Sequence, residues 1–86
     1  METKLTKIRK RKGHTILQAS RIAGVAPASI NSAELGKRIP TAKTLAKFSR
    51  YYGLSESEII KIIAILRERR KQIERIDIEI LSKLSS

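Results

Sequence analysis

The sequence predicts an all-α domain of five helices, the last of them extended. Three observations predict it. Apolar residues recur at helical rather than alternating spacing over most of the chain, capping residues stand in front of those runs, and the four glycines and two prolines fall at their boundaries. Thr3 caps a first helix with Leu5 and Ile8 inward, and Gly13 stops it. Thr15 stands three residues before Gln18, a capping box for a short second helix that ends at Gly24. Pro27 occupies the first turn of a third helix, where its missing N–H costs nothing, and that helix runs to Leu35 before Gly36. After Pro40, Thr41 opens a fourth helix with Leu45, Phe48 and Tyr52 on one side and Gly53 at its end.

Ser55 and Glu58 form another capping box, and neither Gly nor Pro follows. Taken as one helix, residues 56 to 84 would extend about 43 Å at 1.5 Å per residue. The stretch Ile76-Asp77-Ile78-Glu79-Ile80 alternates as a strand would, so a C-terminal strand stands as the other reading. The helix formers on both sides of it favour helix.

Charge divides the chain in two. Its 86 residues carry 19 Lys and Arg against 8 Asp and Glu, a net of +11. Residues 1–54 hold twelve cations and two anions, whereas residues 55–86 hold seven cations and six anions. A basic first part and a balanced second part point to a polyanion binder followed by a segment with another job. A domain of this length has no room for a deep cleft and a lid, and no Ser-His-Asp order, Gly-rich phosphate loop or paired carboxylates appear, so no enzyme is expected. With no cysteine and a single histidine, His14, neither a metal site nor a cofactor is expected. No apolar run approaches bilayer-spanning length and the N-terminus has no apolar leader pattern, so no membrane is expected; the expected location is the cytoplasm, at the nucleoid.

Helices two and three, joined by a tight turn at Gly24-Val25, have helix-turn-helix spacing. Further residues share that register: Ile8-Arg9, Lys12-Gly13, Thr15, Ala23, Ile30, Glu34, Gly36-Lys37-Arg38, Pro40-Thr41, Thr44-Leu45, Gly53-Leu54-Ser55 and Glu58-Ile59. Without a gap, residues 5 to 60 resemble the lambda-repressor/Cro-like (XRE) helix-turn-helix family. The resemblance implies a five-helix lambda-repressor-like domain over residues 1–60 and a C-terminal helical extension over residues 61–86. It also implies that the third helix enters the major groove of double-stranded DNA, while the start of helix two and the loop after helix three hold phosphates. By that register the base-facing residues are Pro27, Ala28, Ser29, Asn31 and Ser32, and the phosphate contacts are Thr15, Lys37, Arg38 and Lys43.

The sequence departs from the family pattern where it matters for reading. Guanine is read in bidentate fashion by Arg or Lys and adenine by Asn or Gln, yet only Asn31 on the third helix offers such a group. Few direct base contacts are therefore expected, with phosphates and DNA shape supplying the rest. Ile16 stands where the family often has a phosphate-binding Gln, Ala26 where it has a capping Ser or Thr, and Ala19-Ser20 where it has a Leu-Ala pair. Ile16, Leu17 and Ile22 fall at positions the family keeps polar. Helix two is thus expected to be underfilled inside and apolar outside, with Ile16 and Ile22 open to a protein partner. His14 is expected partly buried and hydrogen-bonded, Tyr52 inward and Tyr51 at a surface.

In the last helix Ile59, Leu66, Ile73 and Ile80 recur every seven residues, with Ile62 and Ile76 between them; Arg69 and Lys83 interrupt the seam. Its far part is too long and apolar to leave in water, so it must cover its own domain or meet a second chain, and Leu66, Ile73, Ile76, Ile80 and Leu84 are the expected dimerisation residues. The function expected is a homodimeric transcriptional regulator, a repressor in the family's manner, that reads DNA through helix three. The other reading is a non-enzymatic interaction module (an adaptor, antitoxin or anti-repressor) that keeps the fold and has lost sequence reading.

Overall fold

The computed structural model describes residues 2–84, and it is helical throughout: α1 Lys4–Arg11, α2 Ile16–Ala23, α3 Pro27–Leu35, α4 Ala42–Tyr52 and α5 Glu56–Leu84. The caps are those the sequence placed. Thr3, Thr15 and Thr41 each accept a hydrogen bond from the backbone N–H three residues on. At α2 the capping box is complete, with the Gln18 side chain bonded back to the Thr15 N–H at 2.9 Å. Gly24 closes α2 in the left-handed region, at φ 74°, so the chain can turn sharply into α3. Helix α3 starts at Ala26 without a side-chain cap, and Pro27 supplies its first turn.

Helix α5 is continuous to Leu84, so the strand reading of Ile76–Ile80 is overturned: among the described residues there is no strand for it to pair with, and unbroken helix formers carry the turn through. Nothing in the described chain is long and apolar enough to cross a membrane as a helix.

The core is built by contributions from every helix. Leu5, Ala19, Ile30, Phe48, Ile59 and Ile63 are fully buried. Phe48 meets Tyr52 edge-on at 5.9 Å between centroids, and Tyr52 meets Tyr51 likewise at 5.0 Å. The expectation that Tyr51 lies at a surface is corrected: it is 7% exposed. Its hydroxyl reaches Nδ1 of His14 at 2.7 Å, which anchors the loop between α1 and α2 and gives the partly buried His14 its partner. Ile16 is also corrected. It is half-buried and packs against the core, while Ser20 satisfies its own hydroxyl on the Leu17 carbonyl at 2.8 Å. Leu17 and Ile22 remain outside, 51% and 61% exposed.

One charged cluster sits inside. Arg9 on α1 donates from Nε to Glu34 Oε2 at 2.8 Å and from Nη2 to Oε1 at 2.9 Å, a two-pronged pairing across α1 and α3. Thr6 donates to the same carboxylate at 2.8 Å, the Tyr52 hydroxyl donates to it at 3.3 Å, and Arg9 Nη1 donates to the His14 carbonyl at 2.9 Å. The bond to Glu34 raises the Arg9 pKa further above an already high value, and burial together with the Glu34 charge pushes the Tyr52 phenol up. Burial does the same to Tyr51. Among the described residues no buried side-chain polar atom lacks a partner.

A buried pair of this kind is worth little against a well-packed apolar pair, but losing one member leaves a bare charge inside. Replacing Glu34 with Leu alone is therefore expected to cost about 3 kcal/mol of stability. Arg9→Met combined with Glu34→Leu removes both charges, and the double variant should be more stable than Glu34→Leu by itself. Urea unfolding midpoints check this; costs that simply add would contradict a coupled pair.

Candidate nucleic-acid interface

The outward side of α3 is small and polar because its inward positions are taken by Ile30, Ala33 and Glu34. Beside it, the chain from Gly36 to Thr41 folds back toward α3 and leaves a shallow groove of about 260 Å3. Ala28, Ser29 and Ser32 form its α3 wall, and Arg38, Ile39, Pro40 and Thr41 form the other. Three of the five sequence-predicted base-facing residues thus converge with one predicted phosphate residue. Pro27 and Asn31 do not line the groove: Pro27 is exposed at the start of the helix, and Asn31 is half-buried on another side. The one side chain suited to bidentate adenine reading is therefore set apart from the two serines.

Lys37 and Lys43 are exposed on the same connection and on the first turn of α4, and Thr15 is exposed at the start of α2 with its hydroxyl already capping the helix. Other cations are committed within the domain. Arg9 holds Glu34, Lys10 pairs with Glu2, and Lys47 donates to the Gly24 carbonyl at 3.0 Å. The Lys10 bond holds the Glu2 carboxyl below the usual carboxylate range. The Lys47 bond ties α4 to the turn between α2 and α3 and so helps fix the angle at which α3 is presented.

The sequence reading missed two devices that position this surface. The first is the Arg9–Glu34 pair. Its signal was present: Glu34 is the sole anion between Glu2 and Glu56 and lies four residues after the inward Ile30, while Arg9 lies four after the inward Leu5. The second is Gly36, which is buried, with φ 67°. A β-carbon there would collide with Cβ of Leu66 and approach the Arg67 backbone nitrogen to 3.0 Å. The end of α3 and the middle of α5 are in direct backbone contact, and Leu66 is half-buried there within its own domain.

The helix-turn-helix family model matches residues 5–59, which is most of the chain and includes α1 to α4 and the first turn of α5. No curated protein and no solved structure matches the chain. The family binds DNA and is not a family of enzymes.

The Gly36 contact yields a comparison. Gly53 has the same left-handed backbone, at φ 70°, but faces open space. Gly53→Ala should cost about 1 kcal/mol for the left-handed conformation alone. Gly36→Ala should cost clearly more in thermal or urea unfolding, because α5 must also move off the loop. Equal costs would mean that the close approach carries no weight. Matched over residues 5–59, all-helical and built around a helix-turn-helix, the chain belongs to the lambda-repressor/Cro-like (XRE) helix-turn-helix family.

Proposed function

We propose that the protein is a transcriptional regulator that binds double-stranded DNA as a homodimer, with α3 in the major groove. The observation that carries this reading is the groove in which Ala28, Ser29 and Ser32 face Arg38. Ala28 suits a thymine methyl, and a serine hydroxyl bonds several bases without choosing strongly. Such a surface selects DNA chiefly through phosphate positions and shape, with Thr15, Lys37, Arg38 and Lys43 as the phosphate contacts. Pro27 and Asn31 stand outside the groove, and on this reading they only flank the base contacts. On this reading residues 1–60 carry the DNA-binding role, residues 61–86 the dimerising one, and the protein works at the nucleoid as a repressor.

A single copy with so few base contacts gains little over random DNA. Two-fold symmetry, which sets two reading helices about 34 Å apart, therefore matters more here than for a strong reader. Ile73, Ile76, Ile80 and Leu84 on α5 are all exposed, between 51% and 77%. At roughly 25 cal/mol per Å2 of apolar surface, covering these residues on two chains supplies several kcal/mol before association entropy is subtracted. Leu66 adds only its outer half, since its inner half meets Gly36. The second reading, an interaction module with little DNA affinity, draws support from the small residues of α3 and from the exposed Leu17 and Ile22, and less from Ile16, which is half-buried against the core.

The test is a titration of the full chain and two variants against random and genomic duplexes over a range of salt. Lys37→Ala with Arg38→Ala should weaken binding to all sequences alike and flatten the salt slope by about 0.9 per lost contact. A chain ending at Arg70 should keep salt-sensitive non-specific binding, sediment as a monomer and lose most preference for any one site. No salt-dependent affinity in the full chain favours the interaction module, and a shortened chain that still dimerises removes the tail's role.

A further inference from the structure

Beyond the family-matched residues, α5 carries a second face, distinct from its apolar stripe. Lys37, Arg67, Arg70 and Lys71 line a shallow concave site of about 290 Å3 together with Gly36 and Glu74. Arg70 lies 3.7 Å from Glu74, one turn away on the same helix. Among the described residues, no carboxylate pairs with Lys37, Arg67 or Lys71. Three unpaired cations gathered in one hollow repel one another, and an anion placed there relieves that repulsion.

The hollow is built by the fold. Because Gly36 has no β-carbon, the α5 backbone at Leu66 and Arg67 comes against the end of α3, and this sets Arg67 and Lys71 beside Lys37. Lys37 is also the first cation of the connection whose next residue, Arg38, lines the α3 groove. The hollow and the groove therefore adjoin along one stretch of chain, Lys37 lining the one and Arg38 the other. From this we infer that Arg67 and Lys71 of α5, together with Lys37, hold phosphodiester groups of the DNA backbone flanking the site that α3 reads. The inference rests on the DNA-binding reading above and adds the last helix to the DNA-binding surface. It gives α5 two faces with two jobs: a cationic one toward DNA and an apolar one toward the second copy.

The experiment uses the full chain and compares Arg67→Gln/Lys71→Gln with a control, Arg50→Gln/Lys61→Gln, which removes the same charge from exposed positions outside the hollow. Affinity for a random duplex is measured across salt, and sedimentation confirms that assembly is unchanged. The expected result is a salt slope lower by up to about 1.8 for the first pair, at 0.9 per contact, and much less change for the control. Equal slopes for wild type and Arg67→Gln/Lys71→Gln, or equal losses for both pairs, overturn the inference while leaving DNA binding through α3 intact. A wild-type chain with no affinity for DNA overturns both. Inorganic tripolyphosphate is titrated in parallel: if it saturates the wild type but not Arg67→Gln/Lys71→Gln, and the DNA slopes agree, the hollow takes a free polyphosphate and the DNA assignment falls.

Discussion

The guanidinium of Arg9 and the carboxylate of Glu34 are buried face to face and join α1 to α3. Helix α3 has little of its own to hold it. It is nine residues long, has no side-chain cap, and buries only Ile30, Ala33 and Glu34. Isolated helices this short are marginal, so tertiary contacts must supply the order. Glu34 gathers donors from α1, through Thr6 and Arg9, and from α4, through Tyr52. A hydrophobic contact of the same size tolerates sliding and rotation, whereas a forked guanidinium against a carboxylate fixes both distance and plane. That fixed geometry suits a surface of serines and alanines, which lacks long side chains able to adjust to a misplaced helix.

The same logic separates the charges of the basic half by task. Arg9, Lys10 and Lys47 are engaged within the domain, and Lys12 stands over the Tyr51 ring at 5.6 Å. Lys37, Arg38 and Lys43 are left exposed around the groove. A net charge of +11 therefore overstates what faces a polyanion, and the placement of the cations matters more than their number. Gly36 extends this order to the last helix. By admitting α5 to backbone contact, it joins the segment carrying the exposed apolar stripe to the connection carrying Lys37 and Arg38. A change in how α5 is held is thus felt one residue away from the α3 groove.

Most of the fold was legible from the sequence because its signals are local. Caps at Thr3, Thr15, Thr41 and Ser55 and stops at Gly24, Gly36 and Gly53 act within one turn of the chain, and all five helices stand where those residues put them. The strand alternative at Ile76–Ile80 arose because isoleucine favours strands and alternation fits both a sheet and a helix seam over five residues. What the sequence did not show depends on contacts distant in the chain. The Arg9–Glu34 pairing spans 25 residues, the His14–Tyr51 bond 37, and the Gly36–Leu66 approach 30, and none has a local pattern. Ile16 differs for a related reason: its packing against the core depends on residues from other helices, which the local pattern of α2 does not show. Within the candidate site the register placed Ala28, Ser29, Ser32 and Arg38 together, but it could not show that Asn31 stands apart from them.

The buried ion pair, more than the packing of α3 itself, should be what holds α3 in place. Native-state hydrogen exchange on the wild type and on Glu34→Gln tests it most directly, since it reads each helix separately. In the wild type the Ile30–Glu34 amides should open with the same free energy as those around Phe48 in α4. In Glu34→Gln, α3 and α1 should open ahead of α4 and α5, as a separate unit of lower stability. If α3 in that variant loses protection only in step with α4, or loses none, the pair is not what holds α3 in place.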